Sequence, residues 1–169
     1  RLADHLASTK LRIFLTHAHL DHIVGLTFLL VPFGRKLLEH VAVYGDAATL
    51  AAVKQHLFAT PLFPVLPPFE FITLNDAGTV LLDNGLTVSH QRLVSHPGGS
   101  RGFRLQWADG GESRSLAYIT DTAVDGSYHE FVRGADALIH ECYYADHMHE
   151  WGVKTGHSCT TQVARLAAE

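Results

Sequence analysis

Three histidines and one aspartate stand within six residues in the stretch THAHLDH, directly after the apolar run LRIFL. His17 and His19 are two residues apart, so their side chains point to the same side of an extended segment. This pair can therefore converge on one cation. Asp21 and His22 follow where the chain is predicted to turn into a helix, so they can face a second cation beside the first.

The donor types of this cluster narrow the choice of cation. Imidazole and carboxylate groups together suit Zn²⁺, with Mn²⁺ and Fe as alternatives. Structural zinc sites favour cysteine-rich, four-coordinate sets. Because the cluster contains no cysteine, it indicates an open catalytic site. A run of surface histidines in a loop is the alternative interpretation, and it leaves the spacing at a strand end unexplained.

The elements that position this cluster alternate in type over the first sixty residues. The apolar stretch LRIFLTH is typical of a strand buried on both faces, and IVGLTFLLVPF predicts a helix closed by Gly34. HVAVYG predicts a second buried strand, and Asp46 is the predicted N-cap of the helix that follows. The order strand, helix, strand, helix is a βαβ signature. A helix end is also predicted over residues 2–7.

The second half of the chain is predicted to be richer in strands. After the proline-rich connector PLFPVLPP come strand patterns, including a hairpin that turns at ADGGE. YHEFVRG predicts a short helix, ADALIHECYY a buried strand and ADHMHEWGVKTG a loop, either an ordinary surface loop or a lid. The last helix is predicted to start at Thr160 or Thr161 as N-cap. The whole chain is predicted to be a layered α/β domain with mixed sheets.

Composition excludes several classes of protein. The 169 residues carry 47% hydrophobic and 18% charged residues, as in a globular domain, and the net charge of −4 provides no basic field for nucleic acid. No window of about 18 apolar residues exists, so no membrane helix is predicted. Cys142 and Cys159 are too far apart for a C-x-x-C motif. They are interpreted as reduced thiols of a cytoplasmic protein.

Two further residues at strand ends add to the candidate site. His96 ends a strand and precedes Pro97-Gly98-Gly99, which predicts a tight turn with the ring at a sheet edge. Asp121 ends the apolar strand LAYIT. Taken alone, each has a plainer interpretation: a surface histidine at a strand end, and a turn or N-cap aspartate.

In this order, the motifs resemble those of a known family. THAHLDHIVGL resembles the H-x-H-x-D-H signature of the metallo-β-lactamase superfamily, and VSHPGGSRGFRL and AYITDTA are similar to its next two elements. The resemblance implies an αββα sandwich with mixed sheets, as a single partial domain over residues 1–169 that is truncated at both ends. It implies a first ion held by His17, His19 and His96. It also implies a second ion near Asp21 and His22, with Asp121 bridging both ions.

Within the superfamily, the chain is most similar to tRNase Z and to small cyclic phosphodiesterases. The similarity lies in HLDHIVGLTFLL, in HPGGSRGFRL and in the pair LIHECYY and TGHSCTTQVARLA. It implies that His157, just before a helix, contacts the scissile phosphate or acts as general acid. A helix cap and a last metal ligand are the alternatives for His157. The last metal histidine of that branch is expected beyond Glu169.

The resemblance implies metal-assisted hydrolysis of a phosphodiester, with two divalent ions activating water. Asp21 and His157 are the candidate catalytic residues. Arg101, Arg104 and Arg114 are scattered among acidic residues and no long insertion is present, so a small phosphodiester is favoured over tRNA. The alternatives are a lactone, thioester or β-lactam-type hydrolase on the same metals, or a non-catalytic metal-binding module. A homo-oligomer is compatible with the sequence.

Overall fold

A computed structural model describes residues 9–169. The chain divides into two compact units, which are described separately: unit 1 ends at Asn75, and unit 2 runs from Asp76 to Glu169. The helix end predicted over residues 2–7 lies outside the described residues. The assignment of the chain to a single domain stays a prediction.

Unit 1 contains a three-stranded parallel sheet in the order β1-β2-β3. The strands are β1 (Lys10–Phe14), β2 (His40–Gly45) and β3 (Glu70–Thr73). The parallel pairing of β1 with β2 confirms the predicted βαβ order. β2 is buried from Val41 onward, as its apolar sequence predicts. β1 is only half-buried, so the prediction of burial on both faces is wrong for this strand.

The segment between β1 and β2 is an interrupted helix, whereas one continuous helix from Ile23 is predicted. It consists of α1 (Leu20–Ile23), a 3₁₀ stretch (Val24–Leu29) and α2 (Leu30–Gly34). The Thr27 hydroxyl donates a hydrogen bond to the Val24 carbonyl over 2.7 Å, a side-chain contact that competes with the α-helical backbone pattern. Because the α-helix restarts at Leu30, Pro32 falls in a first turn, where its missing N–H costs little.

The helix after β2 forms where it is predicted. Asp46 is its N-cap and accepts a hydrogen bond from the Thr49 backbone N–H over 2.8 Å. The helix α3 (Ala47–Ala52) continues into a π-helical turn over Val53–Leu57. Its apolar face joins a core cluster with β2 and the interrupted helix. This core fixes the carboxyl end of β1, which the histidine cluster follows.

Unit 2 contains a five-stranded mixed sheet in the order β4-β5-β6-β7-β8. The strands are β4 (Ala77–Leu81), β5 (Thr87–Leu93), β6 (Ser100–Asp109), β7 (Glu112–Ile119) and β8 (Ala137–His140). β4 to β7 are antiparallel, and β8 pairs parallel to β7. The predicted hairpin is confirmed, because Gly110 and Gly111 join β6 to β7, both with positive φ as a tight two-residue hairpin turn requires.

Three α-helices of unit 2 are α4 (His129–Val132), α5 (His149–Thr155) and α6 (Thr160–Ala168). The loop predicted over ADHMHEWGVKTG is wrong, since a 3₁₀ turn (Asp146–Met148) leads directly into α5. The helix lacks a capping side chain at its start and ends at Gly156 in a left-handed conformation. A glycine just after the last turn is a common signal for the end of a helix. Gly156 was therefore the feature of the sequence that indicated α5.

The start of α6 also differs from the prediction. Its N-cap is Cys159, and the Gln162 side chain accepts a hydrogen bond from the Cys159 backbone N–H over 3.0 Å. Thr161 lies inside the first turn, where its backbone N–H donates to Asp146 over 2.9 Å. The N-cap predicted at Thr160 or Thr161 is therefore wrong, because a carboxylate from the preceding segment satisfies this first turn. Over residues 9–169, no helix is both long and apolar enough to cross a membrane.

Candidate metal centre

The three histidines of the opening cluster lie together in unit 1. The His17 ring centroid lies 4.4 Å from that of His19 and 4.3 Å from that of His22. His17 is buried, His19 is exposed and His22 is intermediate. The Leu15 backbone N–H donates to the Tyr44 carbonyl over 2.8 Å, which extends the pairing of β1 with β2 up to the cluster. The strand end thus places His17 against the protein interior.

The Thr16 hydroxyl orients two of these rings and was not singled out from the sequence. Its oxygen lies 3.2 Å from Nδ1 of His17 and 3.5 Å from Nδ1 of His22. Both rings therefore turn their Nδ1 side to Thr16 and their Nε2 side away from it. Nε2 of His22 lies 3.3 Å from an Asp21 carboxylate oxygen, and the Asp21 side chain is 79% exposed. The four residues predicted from the spacing are thus neighbours within unit 1.

A second set of donors lies in unit 2. His96, Asp121 and His157 each offer one ligand atom, and these atoms all lie within 4.8 Å of one another. The rings of His96 and His157 are 4.7 Å apart at an angle of 66°. His96 is buried, while Asp121 and His157 are intermediate. The site residues predicted in this half of the chain are brought together, and their role as ligands stays a prediction.

The turn after His96 has the predicted form. The Gly99 backbone N–H donates to the His96 carbonyl over 2.7 Å, and Gly98 has φ of 84°. Proline followed by a glycine with positive φ is typical of a type II turn. The turn reverses the chain between β5 and β6, so His96 stays at the end of the sheet.

Asp121 is held in an uncommon backbone conformation. Its φ is 50°, in the left-handed region, which aspartate tolerates better than most residues. The Ser100 hydroxyl lies 2.8 Å from the Asp121 carbonyl and 3.2 Å from that of Thr120, and it fixes the chain just after β7. Backbone strain of this type costs about 1–3 kcal/mol and is concentrated at functional sites.

Gly156 allows the approach of His157 to His96. Its φ is 71°, and a Cβ at this position would lie 2.7 Å from the His96 Cα and closer still to the Ser95 carbonyl oxygen. No other residue type fits this contact without moving the backbone. The left-handed glycine therefore ends α5 and also brings the α5–α6 connection against Ser95 and His96, in the segment that follows β5.

Glu141 is the main residue that sequence reasoning missed. It follows β8 directly, and one of its oxygens lies 2.9 Å from Nδ1 of His157. The same carboxylate accepts hydrogen bonds from three backbone N–H groups, those of Thr122, Tyr143 and Ser158. Its side chain is only 11% exposed. An acidic residue at the end of an apolar strand was the available signal in the sequence.

The Glu141 contact defines how His157 can act. A carboxylate accepts only, so Nδ1 of His157 carries the proton of this hydrogen bond. The tautomer and the ring orientation are thereby fixed, and Nε2 is left for a ligand or substrate. The same carboxylate ties the segment after Asp121 to the segment before α6. One acidic side chain therefore positions two of the three donors of unit 2.

A buried tyrosine and a half-buried histidine support the backbone of Glu141. Nδ1 of His140 donates to the Glu141 carbonyl over 2.6 Å, and the Tyr128 hydroxyl donates to Nε2 of His140 over 2.7 Å. Burial lowers the pKa of His140 and raises the pKa of Tyr128. Both groups are therefore neutral near neutral pH, as this pair of hydrogen bonds requires.

The two cysteines lie near this segment without a disulfide. Cys159 is buried and Cys142 is exposed. Burial is also the main cause that raises the pKa of the Cys159 thiol. A thiol with a raised pKa is a poor metal ligand, since the thiolate is the ligand form.

Comparison with known proteins places these residues in a family context. Residues 5–169 match the beta-lactamase superfamily domain. Ribonuclease BN of Erwinia tasmaniensis is 26% identical over 204 aligned positions, which cover 94% of this chain and 66% of that protein. The aligned stretch is longer than the 169-residue chain, so the relative carries insertions.

Two solved structures have a similar fold. The short form of human tRNase Z matches with a TM-score of 0.68 at 24% identity, over 93% of this chain and 67% of that one. Yeast PDE1 matches with a TM-score of 0.69 at 16% identity, over 93% of this chain and 50% of that one. These matches confirm the predicted fold class, an α/β fold of the metallo-β-lactamase type. The chain spans about two thirds or less of the length of these proteins.

Proposed function

Because the chain belongs to the beta-lactamase superfamily, whose domain it matches over residues 5–169, we propose that it is a metal-dependent hydrolase of small phosphodiesters. The observation that carries this proposal is the hydrogen bond from His157 to Glu141, beside His96 and Asp121. It provides an oriented imidazole next to metal-ligand donors. That combination suits a reaction in which a leaving oxygen must receive a proton.

The donor set fits divalent cations. Imidazole and carboxylate groups suit Zn²⁺, with Mn²⁺ and Fe as alternatives. We assign the first of two ions to His17, His19 and His96. The second ion is assigned to Asp21 and His22, with Asp121 shared by both ions. When bound, divalent ions would lower the pKa of a water molecule and stabilise negative charge on the phosphate oxygens.

His157 is proposed to deliver a proton from Nε2 to the leaving oxygen. Glu141 holds Nδ1 over 2.9 Å and stabilises the protonated ring before transfer, as a buried carboxylate does for a catalytic histidine. Such proton transfer contributes typically about 10²–10⁴-fold to the rate. Asp21, with an exposed side chain next to His22, is proposed to hold the second ion or to accept a proton from water.

The contacts and the burial of three arginines in unit 2 favour a small substrate over tRNA. Arg104 donates to the backbone carbonyls of Phe131, Arg133 and Gly134. Arg114 pairs with Glu112 and Asp136. Arg101 is 1% exposed. These three cations serve the fold and form no continuous basic surface, which nucleic-acid binding requires.

The test is metal analysis of the full-length protein, followed by a substrate panel. Phosphodiesters, lactones and thioesters are assayed with the metal-loaded protein and after chelation. The proposal expects bound divalent metal, turnover of phosphodiesters and loss of turnover on chelation. Turnover of lactones or thioesters alone would make the protein a carboxylic ester hydrolase. Metal binding without turnover of any substrate would make it a non-catalytic module.

A further inference from the structure

Tyr143 is an exposed aromatic residue at the candidate site. It is 68% exposed, yet its backbone is fixed, because its N–H donates to the Glu141 carboxylate over 3.0 Å. Its ring lies nearly parallel to the His157 ring, with centroids 4.7 Å apart and an angle of 26°. The Tyr144 ring meets the Tyr143 ring edge-on, with centroids 4.8 Å apart. A large, ordered aromatic ring is therefore presented to solvent beside His157.

The neighbouring Tyr144 differs from Tyr143, because it packs against other parts of unit 2. Tyr144 is half-buried and pairs through its backbone with Ser158 and Thr160. It also lies 3.7 Å from the position that a Cβ on Gly152 would take, so it packs against α5. Of the two adjacent rings, Tyr144 is thus the more buried one, while Tyr143 is the exposed ring that stacks on His157.

We propose that Tyr143 is a stacking residue for a flat ring carried by the substrate next to its scissile phosphate. The inference rests on the proposed function, since His157 is the group assigned to the leaving oxygen. A ring that stacks on Tyr143 would lie beside that oxygen. The substrate class is then a phosphodiester with a heteroaromatic ring on one ester group, such as a nucleoside.

The physical basis is the preference of nucleobases for aromatic platforms. Stacking of one base on an aromatic side chain strengthens binding by about 5- to 100-fold, and it tolerates different bases because each has a π-face. Tyr143 is suited to this role because its backbone hydrogen bond and its contact with His157 order the ring beforehand. An ordered platform avoids part of the entropy cost of binding.

The experiment compares two cyclic phosphates that differ in the ring. Adenosine 2′,3′-cyclic phosphate carries a base, and glycerol 1,2-cyclic phosphate does not. In the metal-loaded full-length protein, Tyr143→Leu should lower the ratio of the two kcat/KM values about 10-fold, mainly through KM for the adenosine compound. Tyr143→Phe keeps the ring and should retain the ratio. Trp107→Leu, which alters an exposed aromatic residue on β6, is the matched control.

A binding measurement separates this inference from the proposed function. Calorimetry with adenosine monophosphate and ribose 5-phosphate, on folded variants checked by circular dichroism, needs no turnover. The inference expects wild type to prefer the adenosine compound and Tyr143→Leu to lose that preference. Failure of turnover with this preference intact would sink the proposed function alone. An unchanged preference in Tyr143→Leu, or no preference in wild type, would overturn the inference.

Discussion

Glu141 and His157, sixteen residues apart in the chain, are joined by a hydrogen bond of 2.9 Å between a carboxylate oxygen and Nδ1. Both side chains are largely buried. The same carboxylate also accepts hydrogen bonds from two backbone N–H groups, that of Thr122 just after Asp121 and that of Ser158 just before α6. Glu141 therefore links the position of His157, the candidate catalytic residue, to that of Asp121, a candidate metal ligand.

Replacing Glu141 with Gln should weaken activity through the orientation and charge of His157. The amide keeps the size of the side chain but removes the negative charge that stabilises a protonated ring. We expect kcat/KM to fall about 10- to 100-fold, as for other groups that orient site histidines. The alkaline limb of the pH–rate profile, where a general acid loses its proton, should also move to lower pH, which a purely structural change would not produce. Glu112→Gln, at an exposed ion pair, is the control, and an unmoved profile in Glu141→Gln would refute the positioning role.

Gly156→Ala should disturb both stability and the placement of His157. A methyl group there meets the backbone of Ser95 and His96, and φ of 71° adds strain. The free energy of unfolding should fall by about 1–3 kcal/mol, measured by urea denaturation. Gly126→Ala is the matched control, because Gly126 has φ of 83° and no atom within 4 Å of the position that its Cβ would take. Equal losses in both variants would show that strain alone matters at Gly156.

Asp121→Ala should lower occupancy of the second ion more than that of the first. The aspartate is assigned as the bridging carboxylate, while three histidines remain for the first ion. Asp121→Asn is the companion variant, since asparagine also tolerates the left-handed backbone but lacks the charge. Elemental analysis of the purified variants gives the metal content. If both variants retain wild-type content of both ions, the bridging role is wrong.

Protein stability should decline in mild acid partly through His140. Burial lowers its pKa in the folded state below its ordinary value. The unfolded chain then binds a proton that the folded chain does not, so stability falls as pH drops from about 6.5 towards the folded pKa. The slope from one such group is at most about 1.4 kcal/mol per pH unit. Urea denaturation at a series of pH values, with chelator present, should show a smaller slope in His140→Gln. If the slope of stability against pH in His140→Gln equals that of wild type and of the exposed-site control His147→Gln, the assignment to His140 is wrong.

The features that could be predicted from the sequence depend on short-range patterns. His17, His19 and His22 come soon after β1 and are close in sequence, so local backbone geometry is enough to bring their rings together. The Asp46 cap and the Gly110-Gly111 turn are local for the same reason. Each of these predictions is confirmed in the structure.

The features that were missed depend on contacts between distant parts of the chain. The approach of Gly156 to Ser95 joins residues about sixty positions apart, and no periodic pattern encodes it. The carboxylate of Glu141 satisfies backbone groups on three segments, which only the folded chain brings together. Helix α5 was missed because it lacks a capping side chain at its start, the signal on which helix prediction relies.

The central claim is that His157 acts on the substrate while other residues hold the metal. The most direct measurement is metal content and phosphodiester turnover of His157→Ala in the full-length protein, next to wild type and to His147→Ala. The account predicts full metal content and a turnover reduced about 10²–10⁴-fold, with His147→Ala behaving as wild type. Loss of metal from His157→Ala would make His157 a ligand, and unchanged turnover would make it only a helix-terminal residue; either result would contradict the account.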